Sequence, residues 1–136
     1  TSHASYPLSP LQQGMLYQAV YGKAPGVYVQ QLVGEFREAL DIDALRRAWQ
    51  RVIERHAVLR TVFLTDDSGS PVQRVEPQAE LPIEQQDWRE TPEAERAPRL
   101  EAFLKADRQR GFDYRQAPAM RLAVLRWGDA DYRLVW

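Results

Sequence analysis

The 136-residue chain contains no cysteine. That removes disulfides, thiolate metal sites and cysteine nucleophiles together, and it fits a reducing compartment, with the cytoplasm the expected location. Histidine is scarce: there are two, with no Asp/Glu cluster at ligand spacing, so no protein metal site is expected. Neither charge sign dominates. Eighteen Lys and Arg face nineteen Asp and Glu, leaving no net field to draw nucleic acid or an anionic membrane. No apolar run approaches the roughly 20 residues that span a bilayer, and Thr1 to Ser5 lacks the basic and apolar regions of a signal peptide. A G-x-S-x-G elbow and a glycine-rich phosphate loop are also missing, since Gly14, Gly22, Gly26 and Gly34 are too scattered to cradle an anion. What remains has globular proportions, 44% hydrophobic and 27% charged, enough for one small domain with a core. There is no initiator methionine, and Tyr132 to Trp136 is apolar and strand-like. Both ends are expected to have been cut from something longer.

Ser9-Pro10-Leu11-Gln12 predicts a helix start, with a serine cap, proline at the first helical position and glutamine closing a capping box. Gly14 inside that helix costs about 1 kcal/mol relative to alanine, which points to tight backbone packing or to space kept clear. Val27 to Phe36 is β-rich with two partly apolar faces, the pattern of an interior strand in a layered α/β fold; Gln30 and Gln31 within it need neighbouring chains or a wet cavity. A second helix follows, capped by Asp41, stapled by Leu40 and Leu45, with Leu45, Ala48, Trp49, Val52 and Ile53 inward and a basic solvated face opposite. Thr61 to Thr65 and Val72 to Val75 form a hairpin, and another strand is expected near Ile83. A third helix opens at Thr91-Pro92-Glu93, breaks at Pro98, turns Leu100, Phe103 and Leu104 inward and ends at Gly111. Met120 to Trp127 and Tyr132 to Trp136 form a second hairpin.

Arg60 is the most informative residue. In Arg55-His56-Ala57-Val58-Leu59-Arg60-Thr61-Val62-Phe63 it sits where a helix hands over to an apolar strand. A guanidinium cannot shed its charge, so burying it requires a carboxylate or a dense set of acceptors. His56 has a pKa range suited to a general base, but at a helix end beside Arg55 its simpler role is to stabilise terminal carbonyls. No catalytic residue is assigned. The aromatics, among them Tyr17, Tyr28 and Phe63, are read as core packing and not as a base-stacking platform.

Tyr6 to Tyr17 resembles the first core motif, S-P-x-Q-x-G-M-L, of the condensation domains of nonribosomal peptide synthetases. Leu40 to Trp49 followed by Arg55 to Phe63 resembles their second helix and second motif, R-H-x-x-L-R-T-x-F, and Tyr132 to Trp136 resembles the strand leading into the third. The resemblance implies an α/β two-layer sandwich, part of the N-terminal chloramphenicol-acetyltransferase-like lobe, with a mixed sheet covered by helices. Residues 1–5 would be a linker remnant and 6–136 a truncated lobe.

In that family two lobes meet at a tunnel, where an acceptor aminoacyl thioester attacks a donor acyl or peptidyl thioester. Both arrive on phosphopantetheine arms of carrier domains, and no cofactor is bound directly. The catalytic H-H-x-x-x-D-G motif is not in these residues, so the fragment alone is expected to be inactive. Arg60 matches the arginine that pairs with the aspartate of that motif and supports the active site. Without that partner it is expected to be solvent-exposed or captured by a substitute acid. Gln12, Gly14 and Met15 match the first motif, on the tunnel and carrier side. The implied partners are peptidyl carrier domains and the missing C-terminal lobe, with self-association through the exposed half-interface. The alternatives are a non-catalytic carrier- or lobe-docking module, or an epimerisation, cyclisation or O-acyltransferase relative.

Overall fold

The computed structural model describes residues 5–13, 15 and 29–136. Its elements are β1 (Ser5–Pro7), β2 (Val33–Phe36), α1 (Ile42–Arg55), a 3-10 turn (Ala57–Arg60), β3 (Thr61–Thr65), β4 (Pro71–Val75), β5 (Ile83–Asp87), α2 (Glu93–Arg110), β6 (Leu122–Gly128) and β7 (Asp131–Val135). Two sheets result, a three-stranded one in the order β1-β4-β3 and a four-stranded one in the order β2-β7-β6-β5. The larger sheet is mixed: β5 and β6 run parallel while β6 with β7 and β7 with β2 run antiparallel. Parallel neighbours need a long crossover, and α2 supplies it.

In β6, Leu122, Ala123, Val124 and Leu125 are buried in succession, as a strand covered on both faces demands. On one face Leu122 and Val124 join Tyr132 of β7 and Ile53 of α1, together with Ala79 and Leu81. On the other, Ala123, Leu125 and Val135 pack with Trp88 against Leu100, Phe103 and Leu104 of α2. This is the expected α/β arrangement, a mixed sheet covered by helices.

The local signals hold where the chain itself supplies the partner. Asp41 accepts a hydrogen bond from the Ala44 N–H at 3.1 Å, while Leu40 and Leu45 both pack on the core. The β3–β4 turn is tied by Asp66, whose carboxylate accepts from the N–H groups of Ser68 and Ser70 and from the Ser68 hydroxyl; these bonds, the Ser68 hydroxyl's first, hold its pKa below the ordinary value. Gly69 takes φ +84° there, a conformation costly for any residue with a Cβ. Gly111 ends α2 at φ 61°.

Three expectations are corrected. Of the strand foreseen at 27–36, the described part is β2 alone. It lies at the end of its sheet, with Val33 and Phe36 each 44% exposed, and none of its residues joins the two core clusters that pack against α1 and α2. On α1, Ala48 and Val52 are exposed and the inward face narrows to Leu45, Trp49 and Ile53. Pro98 does not break α2: the Ala94 carbonyl it leaves without a donor belongs to an exposed residue that water can serve, while Leu100, Phe103 and Leu104 anchor the following turns. Ser5 pairs with Arg74 in the small sheet; residues 1–4 lie outside the described residues.

Candidate functional site

Arg60 leaves the 3-10 turn half-buried between α1 and β4. Its Nε donates to the Ile53 carbonyl at 3.2 Å, and its Nη1 donates to the carbonyls of Glu76 at 3.2 Å and Pro77 at 3.4 Å. The Glu76 N–H in turn donates to the Arg60 carbonyl at 2.7 Å. Neither expected outcome holds: Arg60 is not open to solvent, and no acid captures it among the described residues. The carboxylate of Glu76, whose carbonyl accepts from Arg60, is taken by Arg74, at 2.6 Å from its Nη2. A dense set of carbonyls bears the charge instead, and among the described residues Nη2 makes no hydrogen bond. His56 is exposed and caps α1 through its backbone N–H to the Val52 carbonyl; it lines neither of the cavities described below.

Gln12 and Met15 line the first cavity, of about 540 Å³, together with Leu32, Phe63, Met120 and Trp136. The volume is typical of small-molecule sites. Gly14 lies outside the described residues. The capping box is formed, with the Gln12 N–H donating to Ser9 Oγ at 3.2 Å and the Ser9 N–H to Gln12 Oε1 at 2.9 Å. Trp136 closes another wall, its backbone paired with Leu32 and its ring edge-on to Trp49 at 5.0 Å. Tyr114 joins the cavity beside Phe63, whose N–H donates to the Tyr114 carbonyl at 2.7 Å. Burial raises the Tyr114 pKa, so its hydroxyl stays protonated at neutral pH.

Sequence reasoning missed the polar wall of this cavity. Asp107 of α2 and Arg121 form an ion pair at 2.7 Å with side chains only 19% and 14% exposed. Arg121 also donates to the carbonyls of Asp107 and Gly111 and lies 4.4 Å over the Phe112 ring. Gln31, whose need for partners was foreseen, donates to Asp107 Oδ2 and to the Leu104 carbonyl at 3.0 Å each and accepts from Arg108. Two signals were available: a lone arginine entering an apolar strand, as at Arg60, and an acid in the last turn of a helix, where the dipole disfavours it. Gln73, 7% exposed, was likewise unremarked. Among the described residues no group of three or more His, Asp or Glu gathers at a metal-binding spacing.

A family model, "Condensation domain", matches residues 2–136. The chain belongs to the condensation-domain family. Over 131 residues, 96% of its length, it is 39% and 41% identical to two of the linear gramicidin synthase proteins of Brevibacillus parabrevis. It spans only 2% and 3% of those proteins. The starter condensation domain of rhizomide synthetase RzmA superposes with a TM-score of 0.81 at 22% identity, over 97% of this chain and 32% of that one, which establishes the fold. The cyclization-docking bidomain EpoB of Sorangium cellulosum gives 0.77 at 26% identity, over 98% and 26%. This condensation-domain chain therefore corresponds to part of a domain and to a small share of a multidomain synthetase. No helix among its described residues is long and apolar enough to cross a membrane.

Proposed function

We propose that residues 6–136 are part of the N-terminal lobe of a condensation domain that joins a carrier-bound acyl or peptidyl donor to a carrier-bound aminoacyl acceptor. The acceptor amine attacks the donor thioester carbonyl, the C–N bond forms, the C–S bond breaks, and the donor's thiol leaves carrying the proton. Both substrates ride on phosphopantetheine arms, and the partners are carrier domains and the second lobe, in the cytoplasm. The observation that carries this reading is Arg60, a half-buried cation with three main-chain acceptors and no carboxylate among the described residues.

Such a guanidinium, with Nη2 uncommitted, is ready for one more acceptor from outside these residues. An aspartate of an H-H-x-x-x-D-G segment suits it, and its pairing would hold the adjacent histidine where it positions or deprotonates the amine. Gln12 and Met15 lie on the cavity side of the same lobe, in keeping with the tunnel wall. The 136 residues contain neither the paired histidines nor the second lobe's wall. Because positioning two substrates is a large share of such catalysis, the segment alone should form no amide.

The likeness to a cyclization-docking bidomain favours one second reading, a cyclisation relative. The test is a chimera in which this segment replaces the matched 131 residues of the linear gramicidin synthase protein to which it is 39% identical, supplied with both loaded carriers. Amide product supports condensation. A folded chimera that binds both carriers and yields none, or amide formation by the isolated segment at the same rate, contradicts it.

A further inference from the structure

A second cavity, of about 670 Å³, lies against the first and shares with it the wall residues Asp107, Phe112, Met120 and Arg121. We propose that the Asp107–Arg121 pair and the Phe112 ring beneath it form a partition that sets how long a hydrocarbon chain the first cavity accepts. The inference rests on the proposed condensation function for its ligand, the apolar tail or side chain of a carrier-bound substrate.

Apart from the amides of Gln12 and Gln30, the rest of that cavity's wall is mainly apolar and aromatic, with Met15, Leu32, Phe63, Met120 and Trp136 lining it. The one cation among its described lining residues is committed. The Arg121 donors are directed to Asp107 Oδ1 and to the carbonyls of Asp107 and Gly111, and its face is stacked on Phe112. A guanidinium so engaged serves as a neutralised wall and does not draw an anion into the cavity.

The partition is also stiff. It lies at the C-terminal end of α2, and through Asp107 it is fastened to Gln31, whose neighbours Gln30 and Leu32 also line the cavity. Without the Arg121 side chain, the shared wall would be reduced to Met120, an Asp107 carboxylate that has lost its cation and a Phe112 ring that has lost its stacking partner.

The test titrates the complete condensation domain that contains this segment with straight-chain acyl thioesters of N-acetylcysteamine of increasing length, followed by tryptophan fluorescence, since Trp136 lines the cavity. In the wild type, affinity should climb about fourfold per methylene until the chain meets the partition, then level off. Arg121→Ala and Phe112→Ala should each move that break to longer chains, while Arg121→Met, similar in reach, leaves it in place.

A break at the wild-type length in both alanine variants, or wild-type affinity independent of length, overturns the proposal. If Arg121→Ala fails to fold, Phe112→Ala decides alone. Because the readout is binding, a moved break beside a chimera that forms no amide would sink the reaction and keep the partition. Amide formation beside an unmoved break would do the reverse.

Discussion

Gln12 and Gln73 clasp each other amide to amide, Gln12 Nε2 donating to Gln73 Oε1 at 3.3 Å and Gln73 Nε2 returning a bond to Gln12 Oε1 at 3.1 Å. Gln73 Nε2 also donates to the Pro7 carbonyl, so one buried side chain of β4 fixes both β1 and the helical residues 10–13, beside the cavity that Gln12 and Met15 line. Replacing Gln73 by leucine removes the side-chain partner of Gln12 Nε2 and the side-chain donor to the Pro7 carbonyl, while Gln12 Oε1 keeps the Ser9 N–H. A loss of about 1–3 kcal/mol is expected, read by urea denaturation, with faster amide exchange at residues 10–13. An unchanged midpoint would show that the clasp contributes nothing.

The Trp49–Trp136 contact makes a second prediction. Edge-to-face aromatic pairs contribute about 0.5–1.5 kcal/mol beyond area burial. A double-mutant cycle of Trp49→Ala and Trp136→Ala should return a coupling in that range; strictly additive losses would mean that the 5.0 Å contact carries no specific energy.

Asp87 offers a pH test. The Arg89 guanidinium, hydrogen-bonded to its carboxylate, holds the Asp87 pKa down to about 2 from an ordinary 3.8. Since the folded value is the lower one, the contribution to stability is fully present above the unfolded pKa and is lost as pH falls from about 4 through 2. Both side chains are substantially exposed, so the effect should shrink with added salt. The Asp87 carboxyl chemical shift should titrate near 2, and near the ordinary value in Arg89→Ala. A wild-type midpoint near the ordinary value would contradict the pairing.

Pro98 lies on the exposed side of α2. Pro98→Ala restores the missing N–H to the Ala94 carbonyl while freeing the unfolded chain slightly. The variant should be more stable by about 1–2 kcal/mol, measured by thermal unfolding; a destabilised variant would mean that the ring packs in a way the fold needs.

These residues also mark how far the sequence could be read. The caps at Ser9 and Asp41 and the Asp66 turn were legible because each is satisfied within four residues. Arg60 was legible as a charge in apolar company, but not the carbonyls at Glu76 and Pro77, which lie 16 and 17 residues away and bear no side-chain signature. β2 was misjudged because alternation reports which faces are apolar and not what covers them. Pro98 was misjudged because a local penalty of about 3 kcal/mol was weighed without the packing of Leu100, Phe103 and Leu104. The Asp107–Arg121 pair went unseen because its members become neighbours only through the crossover.

The most direct test is a double-mutant cycle in the complete condensation domain between Arg60 and the aspartate of its H-H-x-x-x-D-G motif, read as the rate of amide formation with both carriers loaded. Each alanine substitution alone should lower the rate at least about tenfold, or about 1.4 kcal/mol of barrier, and the double variant should be no slower than the slower single one. Full rate in Arg60→Ala, or losses that simply multiply in the double variant, would contradict the claim that Arg60 supports the chemistry through that carboxylate.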